Sequence, residues 1–107
     1  MKRGDIVLVK YPFTDLSGEK LRPALVILPE DEEGDILLAF ITSIAIKRNP
    51  FDILILKDGT GLHKDSILRL KKIMAIHKSS VVGKIGSVSK EQLKIIEESL
   101  SKMLWLK

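Results

Sequence analysis

Cysteine is absent from this sequence, which excludes disulfides, thiolate-bound metals and cysteine nucleophiles together and leaves the redox compartment unspecified. There are only two histidines, His63 and His77, too few to make a zinc site by themselves. Aromatic residues make up 5%, so any exposed stacking surface rests on Tyr11, Phe13 or Phe51, each of which also suits a core. No apolar run reaches the ~20 residues that span a bilayer. Met1-Lys2-Arg3-Gly4-Asp5 leads directly into a strand pattern rather than a targeting segment. The expectation is a soluble, cytoplasmic protein with no membrane partner.

What is present is a globular composition, 45% hydrophobic and 30% charged over 107 residues, which fits one domain spanning 1–107. The formal net charge of +4 is unevenly spread. Residues 1–53 carry seven Lys/Arg against nine Asp/Glu, a balance of −2, and residues 54–107 carry eleven against five, a balance of +6. A basic half of this kind suits a polyanion or an acidic protein partner.

Leu21-Arg22-Pro23-Ala24-Leu25-Val26-Ile27-Leu28 organises the rest. It is apolar without interruption after Pro23, the pattern of a strand buried on both faces. Proline near a strand start leaves no ladder donor unmet and biases Arg22 towards extended backbone. A guanidinium is thereby fixed at the edge of a rigid core, its planar fork of donors matched to phosphate oxygens. Further strands are predicted over 6–11, 35–42, 52–57 and 66–76, the last alternating basic and apolar residues so that one face is cationic. Thr14 to Lys20 reads as a polar loop leading to Arg22. Four acids at Glu30 to Glu33 read as a solvated turn without metal-ligand spacing. Asp58-Gly59-Thr60-Gly61 is a turn that lacks the residues of a phosphate-binding loop. Val81 to Gly86 is a short glycine-containing segment. Ser89, with Gln92 in capping-box register, opens a helix whose stripe is Leu93, Ile96, Leu100, Met103 and Leu104. Trp105 and Leu106 add apolar bulk suited to a dimer contact.

Four segments, Arg3-Gly4-Asp5-Ile6-Val7-Leu8-Val9, Arg22-Pro23-Ala24-Leu25-Val26-Ile27, Phe40-Ile41-Thr42-Ser43 and Lys64-Asp65-Ser66, in this order and followed by the helix, resemble the MazF/PemK family of type II toxin–antitoxin endoribonucleases. The resemblance implies a mainly β (α+β) fold, a small SH3-like antiparallel barrel of the CcdB/PemK type with a C-terminal helix. It further implies a homodimer, cleavage of single-stranded RNA without metal or other cofactor, and inhibition by an acidic antitoxin. On that match Arg22 and Thr42 fall on the catalytic arginine and hydroxyl positions, while Ser43 and Arg69 fall on positions that contact RNA in some relatives. Thr14, Glu19 and Lys47 complete the expected RNA-binding set, from the loop before Arg22 and the basic connection after Ser43. The chain departs from the family in the loop before Arg22 and at Met74-Ala75-Ile76-His77.

The chemistry implied needs no protein nucleophile, because the RNA 2′-OH attacks its own phosphorus. The protein supplies alignment, charge stabilisation and proton transfer. Arg22 suits the charge and Thr42 a neutral hydrogen bond; Glu19, His77 or water are candidates for the base. Two rival readings remain at this point, a CcdB-like topoisomerase poison without catalysis and an inactive antitoxin-binding module, since a shared fold does not fix function.

Overall fold

The computed structural model describes residues 1–10, 20–44 and 46–105. Its strands are β1 (Asp5–Lys10), β2 (Leu21–Leu28), β3 (Asp35–Thr42), β4 (Asp52–Ile55), β5 (Ser66–His77) and β6 (Val81–Ser87), followed by α1 (Lys90–Trp105). All pairings are antiparallel, in the order β4-β5-β3-β2-β1-β6. The architecture is mainly β with one C-terminal helix, as the resemblance implies.

β2 lies inside the sheet, between β3 and β1. Alternation sends its side chains to opposite faces. Leu25 and Ile27 join Ile6, Ala39 and Ile41 in one cluster, which Ile96 and Leu100 of α1 cover. Ala24 and Val26 join Val7, Val9, Leu38 and Phe40 in the other. Both faces are therefore apolar and buried, the reason this segment has no polar break. Leu21 and Leu28, at its ends, are exposed.

β5 departs from simple alternation. Ile67 and Leu68 are both buried because β5 pairs here with β4 on one side and the end of β3 on the other. Its register against β3 shifts between Ala39 and Ile41. Lys71 and Lys72, opposite that shift, are consecutive and both exposed. The cationic surface is thus a local kink in the ladder, not one face of a regular strand.

The sheet curls until its two ends approach. Gly61, at φ +80°, lies so close to β6 that a Cβ would run into the Ile85 carbonyl, and a Cβ on Gly86 would run into the Thr60 carbonyl. Only glycine tolerates both the left-handed backbone and the contact. This brings the β4–β5 turn onto β6 and folds the open sheet towards a barrel.

α1 begins as the sequence predicts: the Ser89 hydroxyl accepts a hydrogen bond from the Gln92 N–H at 3.1 Å. Ile96 and Leu100 are buried, whereas Leu104 and Trp105 are each 72% exposed. Leu104 was expected in the covered stripe; the apolar face of the helix outruns the sheet beneath it. Arg3 fastens the helix from the side, donating to the Ile27 carbonyl at 2.8 Å and pairing with Glu97 at 2.9 Å. Among the described residues no helix is long and apolar enough to cross a membrane.

Candidate active site

Three strand termini meet where β2 begins and β3 ends beside the start of β5. The β2–β3 register pairs Ala24 with Phe40; carried two residues further, it sets Arg22 level with Thr42. Thr42 in turn faces Ile67 across to β5. Residues two apart on a strand share a face, so Arg22 and Thr42 emerge on the same side. They line one hollow of about 240 Å³ together with Arg48, Arg69 and Lys72. Thr42 is half-buried, and its Oγ1 accepts a hydrogen bond from the Ile44 N–H at 3.3 Å, which turns the chain out of β3. That contact uses the oxygen and leaves the hydroxyl hydrogen to be donated elsewhere.

Ser43 belongs to the opposite face. It lines a second hollow, of about 460 Å³, with Arg22, His63 and Lys64 over an apolar floor that includes Leu8 and Ile85. Thr42 and Ser43, adjacent hydroxyls in the sequence, are therefore divided between two hollows by strand alternation, and among the described residues Arg22 alone of the expected site residues borders both.

Arg69 reaches the first hollow as half of an ion pair. Its Nη1 lies 2.5 Å from Oδ2 of Asp52, a carboxylate with no exposed surface. The same oxygen accepts a hydrogen bond from the Arg48 N–H at 2.7 Å, and Arg69 Nη2 lies 3.5 Å from the Ile46 carbonyl. Asp52 therefore fixes the guanidinium and offsets much of its charge. Lys47 is exposed on the β3–β4 connection and lines neither hollow. Thr14 and Glu19, expected to bind RNA, lie outside the described residues, as do Tyr11 and Phe13. Phe51 packs against the core.

His77, a candidate base by sequence, stands at the wrong end of the sheet. It faces Asp35 in the β3–β5 register, seven residues from Thr42, a separation of about 23 Å along a strand. Its Nδ1 accepts a hydrogen bond from the Ser79 N–H at 3.1 Å, an intraturn contact. His63 instead enters the hollow beside Arg22. The signal for it was the tight glycine turn just before, which aims the following residues but does not say where. Lys72 and Arg48 were likewise legible only as basic residues.

The acidic turn between β2 and β3 has a structural use. Asp31 Oδ1 accepts hydrogen bonds from the N–H groups of Glu33 and Asp35, both at 2.9 Å, and Gly34 at φ +83° completes the reversal. Among the described residues no three His, Asp or Glu side chains gather as a metal-ligating group.

A curled antiparallel sheet with one C-terminal helix across a face is the fold of solved MazF toxins. The Mycobacterium tuberculosis toxin MazF-mt6 superposes with a TM-score of 0.77 at 17% identity, covering 96% of this chain and 98% of that one. A MazE-MazF crystal structure from Deinococcus radiodurans gives 0.77 at 21% identity, covering 100% and 98%. An endoribonuclease in complex with its cognate antitoxin, from a mycobacterial species, gives 0.77 at 17%, covering 100% and 97%. No curated protein matches by sequence. Residues 2–104 match the family described as PemK-like, MazF-like toxin of type II toxin-antitoxin system. The chain belongs to that family of toxins.

Proposed function

We propose that this toxin is an endoribonuclease that cleaves single-stranded RNA, without metal, by directing the 2′-OH onto the adjacent phosphorus. The observation that carries this reading is the convergence of Arg22 and Thr42 on one open hollow. Attack by the 2′-oxygen gathers negative charge on the non-bridging phosphate oxygens. A guanidinium and a hydroxyl hydrogen on neighbouring strand ends are placed to bind those oxygens together, and being held by the sheet they need little reorganisation. A guanidinium offers donors and no acceptor, so Arg22 serves as an electrostatic clamp, not a base. An unpaired strand is the fitting substrate, because it can splay across the cleft and rotate its 2′-OH into line, whereas a duplex holds it away.

Arg48, Arg69 and Lys72 extend the cation-lined surface beyond Arg22. This is a natural seat for an acidic antitoxin segment that orders on binding, and solved structures of the same fold include an endoribonuclease in complex with its cognate antitoxin and a MazE-MazF pair. The exposed Leu104 and Trp105 supply apolar surface for a homodimer.

The test is to incubate the purified protein with a long single-stranded RNA in excess chelator and to map the ends. Cleavage leaving 2′,3′-cyclic phosphate and 5′-OH is expected. Arg22→Ala and Thr42→Ala should each slow it by about 10²-fold or more, the usual loss on removing a transition-state donor. Intact RNA in every lane would leave a non-catalytic binder, and a topoisomerase assay would then separate a poison from an inactive antitoxin-binding module.

A further inference from the structure

Resting on the ribonuclease reading above, we infer that His63 is the general base of the reaction: Arg22, which borders both hollows, holds the phosphate that Thr42 meets from one side, and His63 takes the proton from the attacking 2′-OH on the other. The reaction needs a proton acceptor beside the guanidinium. Of the charged groups lining that hollow among the described residues, Arg22 and Lys64 are cations, and no carboxylate from β1, β2, β3, β6 or the β4–β5 turn joins them. Ser43 and Ser66 offer hydroxyls, which do not take up protons near neutral pH. Imidazole does, and can release them again.

The turn that carries His63 is braced on both sides. Thr60 is buried; its hydroxyl donates to the Lys57 carbonyl at 2.6 Å and accepts from the Leu62 N–H at 3.2 Å. Gly61 is seated against the Ile85 carbonyl. Beyond His63, the Ser66 hydroxyl donates to the Lys64 carbonyl at 2.8 Å, and Asp65 accepts from the Lys57 N–H at 2.9 Å. The backbone is held while the imidazole makes no hydrogen bond to another described residue, which is the arrangement a base needs: placed, and uncommitted until substrate arrives.

In the step itself the bond from O2′ to phosphorus forms as the bond from phosphorus to O5′ breaks. The 2′-hydroxyl proton passes to the imidazole ring, the departing 5′-oxygen takes a proton from water, and the imidazolium returns its proton to solvent. Arg22 holds the charge on the phosphate throughout.

The experiment measures single-turnover cleavage of a short RNA in chelator from pH 5 to 9, for the wild type, His63→Gln, His63→Ala and Glu19→Gln. Binding is followed separately by anisotropy on the same sequence with 2′-O-methyl groups. The wild-type rate should rise with pH to a plateau. His63→Gln should lose 10²-fold or more at pH 7 and keep wild-type affinity for the methylated strand. Its rate should climb with hydroxide without the plateau, and added imidazole should restore part of the His63→Ala rate. If the wild type cleaves but His63→Gln stays within threefold with an unchanged pH curve, the inference is overturned. Loss of the curve in Glu19→Gln alone would move the role to that residue. A wild type that cleaves nothing would defeat the underlying ribonuclease reading instead.

Discussion

At Arg69 a single side chain does two things that conflict. It contributes a cation to the cleft and neutralises a carboxylate, that of Asp52, which has no exposed surface of its own. Removing only the cation leaves a buried charge without its partner, the costly case for such pairs. Arg69→Met should therefore destabilise the fold by about 3 kcal/mol or more, read as a lowered urea midpoint. The double variant Asp52→Leu with Arg69→Met should recover much of that loss. If the single variant unfolds at the wild-type midpoint, the pair is not what secures the β4–β5 edge. The sequence identified Arg69 as basic and near the substrate, but Asp52, seventeen residues earlier, was read only as the start of a strand. Pairing across an antiparallel ladder is invisible until the register is known.

The helix is the element most nearly complete in the sequence, because its signals are local. Ser89 precedes the first turn, Gln92 follows at the capping distance, and apolar residues recur at helical spacing. Ser89→Ala removes one acceptor from the frayed end and should cost about 1 kcal/mol, measured as a fall in thermal midpoint with the helical signal otherwise retained. An unchanged midpoint would show that the hydrogen bond from Gln92 adds nothing in water. The first five strands were also legible as elements, β3 to the residue, since alternation and turn glycines are local too, whereas β6 (Val81–Ser87) was read only as a glycine-containing segment. Their bends were not. The shift between Ala39 and Ile41 that exposes both Lys71 and Lys72 arises from accommodating β4 and β3 on a single long strand, a demand no local pattern records.

Across the whole molecule, acid stability depends partly on Asp5, where the chain start, β1 and β6 are tied together. Burial by itself would raise this carboxyl. The N–H of Lys2, 2.9 Å from Oδ2, and the Lys84 ammonium, 3.3 Å from Oδ1, outweigh it, and the result is a lowered pKa. A carboxyl depressed in the folded state stabilises fully above its unfolded value of about 3.9 and loses that contribution as pH falls through the folded value. Denaturant midpoints should consequently drop as the solution is acidified below about pH 4. Asp5→Asn should be less stable than wild type at pH 7 and show a shallower acid dependence. Parallel pH curves for the two proteins would remove Asp5 from the account.

By itself the sequence determined the helix and the first five strands, the continuous apolar run that puts β2 inside the sheet, and the guanidinium at its mouth, because each follows from propensities and spacings within a few residues. The family signature added the pairing of position 22 with position 42. Only the tertiary structure decided which groups share a hollow. Strand alternation parts Thr42 from Ser43, the length of β3 removes His77, and the curl of the sheet that seats the Gly61 turn on β6 delivers His63 to Arg22. Those outcomes depend on register and curvature summed over six strands, quantities that no short stretch of chain contains.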